Sequence, residues 1–155
     1  MHDSFMRRAI ALAVENVRSG GGGPFGAVIV KDGRVVAEGV NRVTPANDPT
    51  AHAEIVAIRE ACRALGRFQL QGCQVYASCE PCPMCLGAIY WARLDRLYFA
   101  ASRDDAAEAG FDDARIHDAL TAAPDARTIP VERLLQQEAW KAFEQWKQKA
   151  DRIDY

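Results

Sequence analysis

The sequence predicts an α/β fold, a three-layer α/β/α sandwich with a mixed, about five-stranded sheet. The first observation is a β-hairpin signal: two β-branched runs, "FGAVIV" and "RVVAEGV", flank Asp32 and Gly33, a residue pair typical of tight turns between antiparallel strands. The second is the alternation of short apolar runs with helical patterns that follows. A hairpin followed by β-α units predicts a sheet with antiparallel and parallel neighbours and helices on both faces.

The elements before the middle of the chain are predicted from periodicity and breakers. Ser4 is a candidate N-cap for a first helix, and the segment "SGGGGP" after it ends that helix. A polar loop follows the hairpin. A second helix begins at His52 and ends at Gly66. The apolar residues expected on one face of that helix are Ile55, Ile58, Ala61, Cys62 and Leu65.

The second half of the chain continues the alternation. A buried strand is expected from Cys73, "CQVYAS", then a helix at about Pro83–Trp91 and a strand "RLYFAA". The helix segment "AIYWA" is expected to be mostly buried. The segment "RTIPVERL" is a candidate fifth strand, which Pro130 would confine to a sheet edge. An amphipathic helix from Gln136 carries Trp140, Phe143 and Trp146.

Composition narrows the class of protein. A chain of 155 residues corresponds to a single domain. The net charge of −2, with acidic and basic residues interleaved, disfavours a nucleic-acid-binding surface. The absence of an apolar run of about 20 residues disfavours a membrane span, and the N-terminal residues lack the pattern of a signal peptide. We therefore expect a cytoplasmic protein with reduced thiols.

The chemical motif lies in "SCEPCPMC", which packs Cys79, Cys82 and Cys85 into seven positions. An isolated Cys-x-x-Cys is also compatible with a redox pair or with buried small side chains. A structural zinc site usually needs four ligands. Of the three histidines, His2 lies at the terminus and His117 in a weakly patterned stretch, which leaves His52.

One histidine and two cysteines match the three protein ligands of a catalytic zinc, whose fourth position is open. Sulfur and nitrogen ligands favour zinc over Mg²⁺ or Ca²⁺. His52 and Cys82 are both expected at helix starts, where the helix dipole stabilises thiolates. The sequence therefore predicts one zinc ion per subunit, bound by His52, Cys82 and Cys85.

Glu54 follows in "HAE", two residues after His52. Taken alone it would be an ordinary exposed helix acid. Residues i and i+2 do not share a helix face, so Glu54 is not expected to be a fourth ligand. A carboxylate beside a zinc-activated water can transfer its proton, and His-x-Glu followed by Pro-Cys-x-x-Cys is the signature of zinc nucleobase deaminases. Glu54 is therefore the predicted catalytic residue.

At these motifs the chain resembles the cytidine-deaminase-like zinc-dependent superfamily. It is similar, more narrowly, to the small bacterial guanine deaminases within it. The resemblance runs nearly end to end. It is carried by "GGPFGAVIVKDG", "NDPTAHAE", "SCEPCPMCLGAIYWAR", "DAAEAGFDD", "RTIP" and the final Tyr155.

The resemblance implies a single deaminase domain over residues 1–155 that hydrolyses guanine to xanthine and ammonia, with Glu54 moving protons. It implies that Asn41 and Asp113 hydrogen-bond the purine and that Phe25 packs near its ring. It also implies a homodimer in which about residues 136–155 are exchanged and Tyr155 caps the neighbouring pocket. From the residues alone, other interpretations stay open.

Those other interpretations are structural. Asn41 is compatible with a turn, Asp113 with a helix N-cap, Phe25 with the core and Tyr155 with a disordered terminus. Asp112 competes with Asp113 for either role. Cys62, Cys73 and Cys79 are interpreted as structural.

Two classes of rival function remain at this level. Other zinc deaminases act on cytosine, guanosine, ammeline-like triazines or tRNA adenosine, and pocket shape decides among them. The balanced charge disfavours the tRNA enzyme, which needs a basic surface. The rival of a different class is a non-catalytic zinc-bound oligomerisation module. The presence of Glu54 argues against it, because structural zinc needs no proton shuttle.

Overall fold

A computed structural model describes residues 2–155 of the chain. It divides into a first unit that ends at Asp113 and a second unit, Ala114–Tyr155. The strands are β1 (Gly26–Lys31), β2 (Arg34–Val40), β3 (Cys73–Cys79) and β4 (Arg96–Ala101). The helices are α1 (His2–Arg18), α2 (Val43–Ala46), α3 (Ala53–Leu65), α4 (Pro83–Trp91), α5 (Arg103–Glu108), α6 (Ala114–Thr121) and α7 (Gln136–Gln148), with one 3-10 turn at Pro124–Ala126.

The sheet is mixed, as predicted, in the order β2-β1-β3-β4. β1 is antiparallel to both neighbours, whereas β3 and β4 are parallel. The prediction of about five strands was wrong, because the sheet of residues 2–155 has four. The segment "RTIPVERL" is irregular. Its β-branched residues suit a strand, but Pro130 has no N–H to donate to a ladder.

Both faces of the sheet are covered, because successive side chains of a strand point to opposite faces. Ala27 and Ile29 of β1 are buried in a core with residues of α3 and α4. Val28 and Val30 are buried on the other face, in a cluster with Ala9 of α1. The first unit therefore has helix, sheet and helix layers, which is the predicted three-layer arrangement.

Helix α1 begins at His2 rather than after an N-cap at Ser4. The imidazole Nδ1 of His2 lies 2.6 Å from the hydroxyl of Tyr76, and its ring packs against Tyr98 at 4.8 Å between centroids. These tertiary contacts hold the first turn in place. The interpretation of His2 as merely terminal was therefore incomplete, although His2 is not part of the metal cluster described below.

The buried face of helix α3 is narrower than the apolar face that the sequence predicted. Its buried residues are Ala53, Glu54, Ala57 and Ala61, whereas Ile58, Cys62 and Leu65 are only partly buried. A Cβ atom on Gly39 of β2 would lie 2.2 Å from the carbonyl oxygen of Ala53. Glycine in the strand and alanines in the helix therefore let the two backbones pack closely.

Gly39→Ala should lower the free energy of unfolding by about 2 kcal/mol, because the new methyl group meets helix backbone that cannot move aside. Gly87→Ala in α4 is the matched control, since a Cβ atom there meets nothing within 4 Å. That control should leave stability unchanged or raise it by up to about 1 kcal/mol. Urea unfolding of the zinc-loaded variants measures both changes. Equal stability of the two variants would contradict this packing.

The second unit contains α6, the 3-10 turn and α7. The predicted C-terminal helix from Gln136 is confirmed. Its aromatic side chains Trp140, Phe143 and Trp146 are exposed, and the rings of the first two lie 5.5 Å apart. α7 therefore presents an apolar face. Among residues 2–155, no helix combines the length and the apolar character needed to cross a membrane.

Candidate metal centre

The sheet topology brings the predicted metal ligands to one edge. β2 and β3 are each antiparallel to β1, so they run in the same direction and their carboxyl ends lie together. His52 is the N-cap of α3, which follows β2 and the short helix α2. Cys82 is the N-cap of α4, which follows β3, and Pro83 occupies its first turn. Both helix starts match the sequence prediction.

The three candidate ligand atoms are close together. The Sγ atoms of Cys82 and Cys85 lie 3.6 Å and 3.5 Å from Nδ1 of His52. All three ligand atoms fall within 4.8 Å of one another. This is the one group of three or more potential metal ligands found within residues 2–155.

These separations fit zinc. Tetrahedral bonds of about 2.3 Å to sulfur and about 2.0 Å to nitrogen place the sulfur and nitrogen atoms about 3.5 Å apart. The two measured sulfur–nitrogen distances, 3.6 Å and 3.5 Å, agree with that value. Two thiols and one imidazole are also the donor types that zinc prefers. The residues present therefore fit a zinc ion with three protein ligands.

The two thiols share their protons unequally. Hydrogen bonding with Cys85, assisted by His52, lowers the pKa of Cys82 to about 4. The same bond and burial raise the pKa of Cys85 above its usual range. The bond to Cys82 raises the pKa of His52. A metal ion needs deprotonated ligands, so its binding here must release the Cys85 proton.

Glu54 lies in the first turn of α3 and is 7% exposed. The thiol of Cys85 donates to its Oε2 atom at 3.4 Å. Burial raises the pKa of this carboxyl group, because the charged form loses its hydration. The structure thus places a carboxyl group against the candidate metal ligands, outside the ligand group itself.

Asn41 follows β2 and lies near the candidate ligand His52 in the fold. The N–H of the next residue, Arg42, donates to the carbonyl of Ala51 at 2.8 Å, one residue before His52. The Oδ1 atom of Asn41 accepts the N–H groups of Gly23 and Val43 at 3.3 Å and 3.2 Å. These bonds resemble those of a turn residue, and they leave the amide nitrogen of Asn41 to serve as a donor.

Phe25 and Phe111 form a T-shaped ring pair with centroids 4.9 Å apart. Phe25 also packs partly against the core, which agrees with the structural interpretation of this residue. Asp113 lies two residues after Phe111 and is half-buried, whereas Asp112 is exposed. Asp113 therefore has the more enclosed position of the two carboxylates.

A cavity of about 630 Å³ lies on the α1 face of the sheet. Its lining is mostly apolar and includes Phe25, Cys79 and Phe111, but none of the three candidate metal ligands. Cys79 is buried and its thiol lies 3.6 Å from the carbonyl oxygen of Ser102. This cavity is therefore distinct from the candidate metal centre.

Tyr155, His117 and Trp91 are not members of the candidate ligand group. Tyr155 belongs to the second unit and its side chain is exposed. His117 lies in α6. The segment "AIYWA" was expected to be buried, but Trp91 is 64% exposed. An apolar composition all round a helix predicts burial only when every face meets a neighbour within the chain.

Sequence reasoning missed Asn16, a buried side chain of α1 that contacts Asn41. An asparagine inside a helical pattern gives no warning of such a role. The run of four glycines that follows was interpreted only as a helix terminator, although its density was a signal of unusually close backbone packing.

Comparisons with known proteins agree with this geometry. The family described as the cytidine and deoxycytidylate deaminase zinc-binding region matches residues 1–101. The chain is 54% identical over 154 residues to guanine deaminase of Bacillus subtilis, covering 99% of each protein. The X-ray structure of guanine deaminase from Bacillus subtilis superposes with a TM-score of 0.98 at 54% identity, covering 100% of this chain and 99% of that one.

A second kind of relative matches only part of the chain. The tRNA-specific adenosine deaminase of Agrobacterium fabrum is 55% identical over 78 residues, which cover 50% of this chain and 51% of that protein. This match is limited to about half of each protein.

Proposed function

This chain belongs to the zinc-binding cytidine and deoxycytidylate deaminase family, and on that premise we propose that it hydrolyses guanine to xanthine and ammonia. The observation that carries the chemistry is the group of His52, Cys82 and Cys85 with the Glu54 carboxyl beside it. The full-length similarity to a guanine deaminase supports the choice of substrate. We accordingly place the protein in purine metabolism.

Zinc is the cofactor, and we assign His52, Cys82 and Cys85 as its protein ligands. When bound, zinc supplies a water molecule that is activated for attack at neutral pH. The chain contributes two helix N-termini that hold the ligands at one sheet edge. All five cysteines are free thiols, which suits a reducing compartment, and we place the protein in the cytoplasm.

Glu54 is the proposed general base and acid. It takes one proton from the attacking water and delivers it to a ring nitrogen. It then takes the second proton, from the hydroxyl now bonded to the purine carbon, and delivers it to the departing amine as the carbon–nitrogen bond breaks, so that guanine and water become xanthine and ammonia. Its burial keeps bulk water from exchanging these protons. Its position beside Cys85 holds the carboxyl close to the metal ligands without adding a fourth protein ligand.

Asn41, Asp113 and Phe25 are the proposed base-binding residues. The amide nitrogen of Asn41 is oriented as a donor, because its oxygen already accepts two backbone N–H groups. The carboxylate of Asp113 suits the N–H groups on a purine edge. The Phe25 ring, fixed by Phe111, offers an apolar surface for the base.

We further propose a homodimer in which α7 and the last residues of each chain pack on a second copy. The aromatic face of α7 is exposed, and so large an apolar surface is typical of an interaction site. The apolar cavity lined by Phe25 and Phe111 is a matching surface. Exchange of a terminal element is a common route to dimers, and it would bring Tyr155 to the partner's base-binding site.

Removal of residues 151–155 should lower the rate of guanine turnover by at least about 10-fold. The lost Tyr155 lid would otherwise exclude water and substrates bulkier than a free base. Zinc content and the dimer should persist, because the metal ligands and α7 are retained. Metal analysis, sedimentation and an ammonia assay measure the three quantities. A truncated protein with the full rate would rule out the lid.

Ammonia release from a panel of bases tests the proposed function. The panel contains guanine, guanosine, cytosine, ammeline and an anticodon RNA hairpin, the last because of the half-length similarity to tRNA deaminases. We expect guanine to give the highest kcat/KM. Release from the RNA hairpin with none from guanine would reassign the chain to the tRNA enzymes.

A further inference from the structure

The glycine-rich loop after α1 wraps around a buried asparagine that the mechanism above does not use. Asn16, in the last part of α1, is 5% exposed. Its Nδ2 atom donates to the carbonyl of Gly23 at 2.8 Å and to the carbonyl of Asn41 at 2.9 Å. Because both partners are carbonyl oxygens, only the nitrogen of the amide can face them.

The neighbouring glycines pack so closely around this amide that a side chain would not fit at their positions. A Cβ atom on Gly21 would lie 2.5 Å from Oδ1 of Asn16. A Cβ atom on Gly22 would lie 2.3 Å from the carbonyl oxygen of Asn41, and its φ of +141° is itself a glycine conformation. Gly23 then donates its N–H to Oδ1 of Asn41. Asn16, the loop and Asn41 thus form one closed hydrogen-bonded unit.

This unit fixes which atom of Asn41 faces a substrate. The Oδ1 atom accepts two backbone N–H groups, those of Gly23 and Val43. The Nδ2 atom of Asn16 donates hydrogen bonds to the backbone carbonyls of both Gly23 and Asn41. Within residues 2–155 the Nδ2 atom of Asn41 is left without an acceptor. The side chain of Asn41 is therefore a preset donor, which requires an acceptor on the bound base.

We infer that Asn16 is a positioning residue for base recognition, and that through Asn41 it selects bases that present a hydrogen-bond acceptor to the Asn41 amide. This inference rests on the proposed function, in which Asn41 binds the base. On guanine the available acceptors include O6 and N7. The intact unit should therefore disfavour a base that keeps the 2-amino group but lacks the acceptor to which the Asn41 amide donates.

Asn16→Ala tests the inference through binding rather than turnover. We expect KM for guanine to rise about 10-fold, the loss expected for one neutral hydrogen bond. The kcat should stay within about threefold, because the metal ligands and Glu54 are untouched. Asn41→Ala should raise KM by the same factor, and the double variant should be no worse than Asn41→Ala alone. Ser19→Ala is the control, since the Ser19 hydroxyl donates to the backbone carbonyl of Asn16 and not to its side-chain amide. Its KM should be unchanged.

The preference for guanine over its analogues distinguishes a positioning role from a merely structural one, because a loss of stability alone would not change that preference. Two analogues are compared with guanine: 2-aminopurine, which lacks O6, and 7-deazaguanine, which lacks N7. The wild-type protein should prefer guanine to the analogue that lacks the acceptor for the Asn41 amide. In Asn16→Ala that preference should fall about 10-fold. If this variant does not fold, Asn16→Gln, which keeps the amide on a longer side chain, should show the same loss in part.

Three outcomes would overturn the inference. KM and discrimination could be unchanged in a folded Asn16 variant, the effects of Asn16→Ala and Asn41→Ala could simply add, or Asn16→Gln could retain the full preference. Each of these leaves guanine turnover by the wild-type protein intact. Absence of xanthine formation by the zinc-loaded wild-type protein would instead overturn the proposed function, and the inference with it.

Discussion

Glu54→Gln should retain about one zinc ion per chain and the wild-type fold but lose guanine hydrolysis by at least 10²–10⁴-fold, roughly the contribution of general acid–base catalysis. The substitution keeps the size and the hydrogen-bonding capacity of the side chain while removing its ability to carry a proton. The buried position beside Cys85 leaves little room for bulk water to replace it. Xanthine formation by the zinc-loaded variant measures the loss.

Glu60→Gln is the matched control for that experiment. Glu60 lies on the same helix, but its side chain is exposed and paired with Arg63. Glu60 is not part of the candidate site, and a surface ion pair contributes little to stability. This control should therefore fold normally and turn over guanine at the wild-type rate. Turnover near the wild-type level in zinc-loaded Glu54→Gln would refute the assignment of Glu54 as the proton carrier.

Cys82→Ser should bind almost no zinc and lose activity in proportion. A serine hydroxyl does not ionise near neutral pH, whereas the pKa of the Cys82 thiol is lowered to about 4. Loss of the metal should also lower thermal stability, because the ligands join the starts of α3 and α4 and metal binding is coupled to folding. Elemental analysis and thermal unfolding of purified protein give the two results.

Cys79→Ser separates ligand loss from thiol loss. Cys79 lies three residues before Cys82 in the same motif and is buried, but it is outside the ligand group. It should keep about one zinc ion per chain. A Cys82→Ser protein that still holds one tightly bound zinc would show that the ligands have been assigned wrongly.

Local sequence signals were sufficient for the hairpin and for the grouping of His52, Cys82 and Cys85. The turn at Asp32 and Gly33 has positive φ at both residues, as such a pair favours. The helices begin at His52 and Cys82 because motif residues, a proline and the preceding loops define their first turns. The proximity of His52 to Cys82 then follows from the strand directions.

Non-local effects account for what the sequence did not show. A strand forms only where a neighbour offers a ladder, and "RTIPVERL" remains irregular although its β-branched residues suit one. The exposed side of α4 at Trp91 cannot be read from an apolar composition alone. The contact between Asn16 and Asn41 spans 25 positions, so no local pattern reveals it.

Zinc-dependent conversion of guanine is the most direct test of the whole account. Purified protein is stripped of metal with a chelator, reloaded with zinc and incubated with guanine while xanthine and ammonia are quantified. We expect no conversion by the stripped protein, and xanthine and ammonia in equal amounts after reloading. Equal conversion with and without zinc, or no xanthine from fully loaded protein, would contradict the assignment.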